Sequence, residues 1–87
     1  MKYTVRISPP AKTQIKKLPE QIQKRIVAQI RDLEFIPRPS TVEKLWSNDN
    51  LYRVRIGDYR IIYQINDQEL TIIIAKVAHR KNIYRRF

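Results

Sequence analysis

The chain contains one glycine, Gly57, and it stands between two runs of alternating apolar and basic residues. The stretch from Leu51 to Ile65 therefore reads as two strands joined by a Gly57-Asp58 hairpin turn. Glycine at the first central position suits a type II′ turn, because it takes a positive φ without steric cost. A two-residue turn also fixes the register: Ile56 faces Tyr59, Arg55 faces Arg60, Val54 faces Ile61 and Arg53 faces Ile62. Two like charges directly opposite each other destabilise a sheet. The pair implies either a negative ligand held between the arginines or two solvated arginines on an open face.

The rest of the chain supplies partners for this hairpin. Tyr3, Val5 and Ile7 alternate with Lys2, Thr4 and Arg6, the pattern of a half-buried strand. Ser8-Pro9-Pro10 is a helix start, a hydroxyl cap followed by residues whose missing N–H groups cost little at that position. The first helix is expected from about Pro9 to Leu18, with Ala11, Ile15 and Leu18 inward, and Pro19 ends it. Ile22, Ile26, Ile30 and Leu33 then recur at helical spacing, with Val27 widening the stripe. That helix is expected to end near Phe35 or Ile36, before the irregular Pro37-Arg-Pro-Ser-Thr41. Lys24, Arg25 and Arg31 lie off the apolar stripe, as a solvated face or part of a polyanion footprint.

Residues 51–56, 59–65 and 70–78 form a three-stranded meander, with Asn66-Asp-Gln-Glu69 as its second turn and Ile65 paired with Leu70. One face gathers Tyr52, Val54, Ile56, Tyr59, Ile61, Tyr63, Ile65, Leu70, Ile72 and Ile74, and the helices cover it. The other gathers Arg53, Arg55, Arg60, Ile62, Gln64, Thr71, Ile73 and Ala75. The order is β-α-α-β-β-β in one domain spanning residues 1–87, an α+β layout with an antiparallel sheet packed on an αα-hairpin. No repeat, linker or low-complexity segment interrupts it.

Eighteen Lys and Arg against eight Asp and Glu give a formal charge of +10. Such an imbalance points to a polyanionic partner: nucleic acid, an anionic membrane surface or an acidic protein. The basic residues are interleaved with apolar ones, so the charge belongs to a folded surface and not to a tail. The chain has no cysteine, hence no disulfide framework or thiolate metal site. No apolar run reaches membrane-spanning length and the start lacks a signal-peptide core, so a cytoplasmic protein is expected.

The open face is where chemistry gathers. Arg53 and Arg55 lie two apart on one strand, with Arg60 across from Arg55. Past the last strand come His79, Arg80, Lys81, Tyr84, Arg85, Arg86 and Phe87. Guanidinium forks match phosphate oxygens bidentately, and aromatic rings among arginines suit single-stranded RNA. One histidine and no cysteine argue against a metal site, and a lone glycine excludes a glycine-rich phosphate loop. Trp46 reads as a loop packing residue. Glu43 reads as a surface carboxylate unless its loop brings it to the arginines.

The run Tyr52-Arg-Val-Arg-Ile-Gly-Asp-Tyr-Arg-Ile-Ile-Tyr63, followed by Ala78-His-Arg-Lys-Asn-Ile-Tyr84, resembles the RelE branch of the RelE/ParE toxin superfamily. The Leu18-Pro19 break between helices and Lys44-Leu45 before the sheet fit the same family. The resemblance implies the RelE-like microbial ribonuclease fold. It also implies a type II toxin that cuts mRNA codons in the A site of the 70S ribosome, needs no cofactor and is held inactive by a RelB-like antitoxin. By position, Arg53 and Arg55 match the two basic residues of the family's first meander strand, and Arg60 the arginine after the turn. Arg80 matches the arginine after the last strand, and Tyr84 the C-terminal tyrosine. Well-known members carry lysines where this chain has Arg53 and Arg55. An arginine holds phosphate but does not act as a base, which leaves His79, or Glu43, for acid–base work. Two other functions fit the same fold: a ParE-like inhibitor of DNA gyrase, and an RNA-binding module without chemistry.

Overall fold

The computed structural model describes residues 2–45 and 50–82. Thr4–Ile7 forms β1, Pro9–Lys16 α1, Glu20–Leu33 α2, Glu43–Lys44 β2, Leu51–Ile56 β3, Tyr59–Asn66 β4 and Thr71–His79 β5. Ser8 caps α1, its Oγ accepting the Ala11 N–H at 3.3 Å, with Pro9 and Pro10 in the first turn. Both helices stop short of the expected ends. Gln23 Nε2 donates to Leu18 O at 2.8 Å, giving the chain before Pro19 a partner outside a helical ladder. Phe35 and Ile36, beyond Leu33, are largely exposed, so no core contact extends α2. Among the described residues no helix is long and apolar enough to cross a membrane.

The strands make one sheet in the order β1-β5-β4-β3-β2. The meander β3-β4-β5 is antiparallel, as expected. The first strand joins it in parallel against β5, with Val5 opposite Ile72 and Ile7 opposite Ile74. The two helices intervene between those partners, as a parallel pairing requires. The two-residue β2 adds to β3 at the far edge, Glu43 facing Arg53 and Lys44 facing Tyr52. Both additions come from pairing between distant segments, which alternation within one segment does not reveal.

The hairpin register is as the turn dictates, from Ile56 opposite Tyr59 to Leu51 opposite Gln64. Gly57 has φ +56° and Asp58 does not share the positive φ, the combination that distinguishes type II′ from type I′. The second turn corrects the expectation. Ile65 pairs with Ile72, not Leu70, and Asn66 with Thr71. Leu70 lies in the turn with φ 53°, an uncommon conformation for a bulky side chain. Bonds that hold this turn include Glu69 N–H to Asn66 Oδ1 at 2.9 Å and Thr4 N–H to Leu70 O at 2.8 Å. The correction moves the pairing by two residues, an even number. The face assignments of Ile72 and Ile74 therefore survive, although Leu70 leaves the core.

The core lies between the helices and one sheet face. Ala11, Ile15, Ile26, Ile30 and Leu33 meet Tyr52, Val54, Ile56, Ile61, Tyr63, Ile65, Ile72, Ile74 and Val77. Each buried aliphatic side chain contributes about 1.5–3 kcal/mol. The Tyr63 hydroxyl donates to Pro37 O at 2.8 Å, and burial raises its pKa. At the end of the sheet away from Gly57, Arg38 donates to both Asp67 oxygens, at 2.7 and 3.2 Å. The Tyr3 hydroxyl donates to Asp67 Oδ1 at 2.6 Å, and Arg38 Nε donates to Tyr52 Oη at 3.2 Å. This cluster ties β1, the loop after α2, β3 and the β4–β5 turn together. Arg38, then Tyr3, hold the Asp67 carboxyl below the usual carboxylate range. A depressed folded pKa contributes stability above the unfolded value, and that stability is lost as pH falls through the folded one. Asp67→Asn is therefore expected to lower Tm at neutral pH. Its difference from wild type should shrink below the ordinary carboxylate pKa, as melting curves at stepped pH would record.

Candidate functional site: an arginine face at the hairpin end of the sheet

The face away from the helices carries the expected arginines, and the register arranges them in rows across the strands. Glu43, Arg53 and Ile62 occupy successive strands in one row; Arg55, Arg60 and Ala78 occupy the next row toward the turn. Arg80 follows two residues after Ala78, and its N–H donates to Asp58 O at 2.7 Å, carrying the ladder to the hairpin tip. Of the residues singled out from sequence, Arg53, Arg55 and Arg60 thus share one face, and Arg80 stands at the hairpin tip beside Asp58. Tyr84, Trp46 and the last three residues lie outside the described residues.

Backbone geometry at the tip gives the arginine heads their places. Arg60 Nη1 donates to Gly57 O and to Tyr59 O, both at 3.0 Å. Its head therefore turns toward the tip, which relieves the repulsion from Arg55 across the ladder. Arg80 Nε lies 3.7 Å from Asp58 Oδ1, an exposed contact that orients more than it stabilises. A fourth tip arginine comes from α2: a methyl group on Gly57 would lie 3.5 Å from Arg25 Nη1. Arg25 reaches the tip from the helix side, so cations border Gly57-Asp58 from both faces of the sheet. Its helical position marks it only as lying off the apolar stripe; the docking of α2 brings it to the turn. Gly57→Ala is expected to destabilise the protein by ~1–3 kcal/mol, because alanine takes this φ only with strain; urea titration would measure it.

Glu43 does reach the arginines. Its Oε1 lies 2.9 Å from Arg53 Nη2, and the Arg53 side chain is only 13% exposed. The short strand β2 makes this contact by placing Glu43 directly opposite Arg53. His79 is placed differently. It pairs with Tyr59, and the two rings meet edge to face at 5.3 Å between centroids. By register this is the helix-facing side of the sheet, the side of Ile61 and Val77. His79 Nδ1 accepts the Lys81 N–H at 3.2 Å, so the imidazole shapes the turn that carries Arg80. The structure does not bring it to the arginine rows.

Such a face suits a polyanion. Its donors are guanidinium groups, and the two carboxylates that contact them, Glu43 and Asp58, lie in different places, one on the edge strand and one at the hairpin tip. Comparison with known proteins agrees on ancestry. The family model described as "ParE toxin of type II toxin-antitoxin system, parDE" matches residues 5–84. Toxin RelG of Mycobacterium tuberculosis is 35% identical, over 99% of this chain and 100% of that protein. Toxin RelE3 of Methanocaldococcus jannaschii is 37% identical, over 84% of this chain and 85% of that protein. Among solved structures, the RelE-RelB complex of Pyrococcus horikoshii has a TM-score of 0.83 at 34% identity, covering 92% of this chain and 97% of that one. The RelBE2 toxin-antitoxin complex of M. tuberculosis gives 0.81 at 32%, covering 92% and 100%. With nearly its whole length matched in sequence and in fold, the chain belongs to the RelE/ParE family of type II toxin–antitoxin toxins.

Proposed function

We infer that this toxin is a ribosome-dependent endoribonuclease that cuts mRNA in the A site by transesterification. The observation that supports the reading is the row of Arg53, Arg55 and Arg60 on one sheet face, with Arg80 at the hairpin tip next to it. In the reaction the 2′-oxygen of one nucleotide bonds to the adjacent phosphorus and loses its proton to a base. The bond from phosphorus to the 5′-oxygen breaks, and that oxygen takes a proton from water. The products are a 2′,3′-cyclic phosphate and a 5′-hydroxyl.

Charge grows on the nonbridging oxygens in the transition state, so the protein acts by positioning and electrostatic stabilisation. Arg60 and Arg80 clamp those oxygens, while Arg55 and Arg53 hold the flanking backbone. By its match to the family's C-terminal tyrosine, Tyr84 is given the role of stacking on a base or hydrogen-bonding near the scissile phosphate. For the proton from the 2′-hydroxyl, the contact between Glu43 and Arg53 supports Glu43 over His79, which packs against Tyr59. His79 then serves by shaping the turn before Arg80.

The partner that restrains the toxin is a RelB-like antitoxin, as in the complexes of P. horikoshii and M. tuberculosis. An acidic segment that folds on binding suits a chain of charge +10. Its apolar residues have a receptor in the groove of about 280 Å³ lined by Val5, Ile7, Val27 and Ile30, with Arg31 and Glu34 also lining it. The ParE description of the family model favours one other reading, gyrase inhibition without cleavage. Primer extension on a defined message in a reconstituted translation system separates the two. In-frame cuts within A-site codons are the expected result. Uncut message together with inhibited supercoiling would establish the gyrase reading instead.

A further inference from the structure

Strand β5 does not alternate regularly. Tyr63 pairs with Ile74, but Ile62 pairs with Lys76, so Ala75 has no opposite number. Such a bulge re-aims the side chains that follow it. Unbroken alternation from buried Ile72 and Ile74 would turn Lys76 toward the helices and Val77 outward. Instead Val77 is buried in the core, and Lys76 stands opposite Ile62, whose other cross-strand neighbour is Arg53.

Helix α1 holds the distortion on both flanks. The pairing of β1 with β5 ends at Ile74, leaving the backbone beyond it at the sheet edge. The Ser8 hydroxyl donates to Ala75 O at 3.3 Å, and Val77 N–H donates to Gln14 Oε1 at 2.7 Å. Side chains of the capping residue and of α1 thus take the place of the missing strand. The bulge is therefore bonded into the fold and is not a lapse in pairing. Lys76 Nζ reaches Asn82 O at 3.5 Å, in the turn just past Arg80.

We propose that Lys76 is a further RNA-phosphate contact of the arginine face, delivered there by the β5 bulge. Ile62, 2% exposed and outside the main core cluster, lies between Lys76 and Arg53. Two strand spacings separate the backbones of the two residues, roughly 10 Å; Arg53 leans to Glu43 on β2 and Lys76 to Asn82 beyond β5, so their heads engage different phosphates of one strand. An ammonium on a flexible stem adapts to a phosphate oxygen that moves during reaction, where a guanidinium fork is fixed in plane. Lys76 thereby restores, from the last strand, the lysine character that Arg53 and Arg55 lack on the first meander strand.

The inference rests on the RNA-cleaving reading, and the test keeps the two apart. Wild type, Lys76→Ala, Lys76→Gln and Lys76→Arg are compared on ribosome-bound message across a salt series. Lys76→Ala and Lys76→Gln are expected to raise KM roughly tenfold, as loss of one charge-assisted bond implies, with a smaller change in kcat. Each should flatten the salt dependence by about one phosphate contact. Lys76→Arg should recover most of the loss. Glutamine keeps much of the stem beside Ile62, so a deficit shared by alanine and glutamine and rescued by arginine assigns the effect to charge. Active wild type with an unchanged KM and salt slope in Lys76→Gln would overturn the Lys76 assignment alone. Wild type that leaves the message uncut would overturn the nuclease reading and this assignment with it.

Discussion

Replacing Arg80 by alanine is expected to lower the rate of A-site cleavage by ~10²–10³, the loss found when one preorganised donor to a developing oxyanion is removed. The size of the effect follows from how the residue is held. Its backbone N–H is fixed to Asp58 O at 2.7 Å and its Nε lies near the same residue's carboxylate, so the residue is anchored at the hairpin tip before substrate arrives. A donor placed in advance costs no reorganisation at the moment of reaction, and deleting it forfeits that advantage in the transition state. The loss should therefore appear in kcat as well as in kcat/KM. Arg80→Lys should retain charge but not the planar fork, and fall between wild type and alanine. Arg60→Ala is expected to lose activity on the same scale and some stability as well, because Arg60 Nη1 also binds the two tip carbonyls. Stability of Arg80→Ala should be close to that of wild type, since its ion pair is exposed. Primer extension with each variant at matched folded concentration measures all three. Wild-type cutting by Arg80→Ala would remove Arg80 from the reaction.

The legible part of this molecule is the part governed by short-range rules. A two-residue turn with glycine first leaves a hairpin no freedom of register, so the Arg55–Arg60 opposition follows from sequence alone. The apolar stripe from Ile22 to Leu33 likewise defines α2 to within a few residues. What stays hidden depends on contacts between distant segments. Nothing within Thr71–His79 states where alternation breaks; Ser8 and Gln14, some sixty residues earlier, hold the bulge that moves Lys76 to the arginine face. The same applies to Glu43, whose value depends on two residues pairing with β3, and to Arg25, which meets Gly57 only because α2 packs across the sheet. Leu70 shows a further limit: the positive φ that glycine would signal is carried by leucine, fixed by Thr4 of another strand. Sequence thus names candidate cations, whereas packing decides which of them share a face.

Ile61→Ala is expected to cost ~2–5 kcal/mol of stability, the range for truncating a buried aliphatic side chain in a core that cannot fully collapse. Ile61 is fully buried on β4, between Val54 and Val77 on the neighbouring strands, and faces the helices. Strands flank it on both sides and the helices cover it, so little can move in to fill the space. For a chain of 87 residues that loss is a large share of a total set by about 0.05–0.15 kcal/mol per residue. The side chain points away from the arginines, so the chemical face is disturbed only through loss of fold. Cleavage per folded molecule should therefore stay near wild type at temperatures where the variant remains folded, while its urea midpoint drops sharply. A large fall in activity per folded molecule would mean that the arginine rows depend on the packing directly behind them. Wild-type stability would mean that the core relaxes around the missing atoms more completely than a sheet closed in on three sides allows. Antitoxin binding should narrow the gap in neither measurement: a ligand that binds only the folded state raises both proteins by the same increment at equal affinity. A partner that restored Ile61→Ala selectively would have to bind the variant's folded state more tightly than the wild type's.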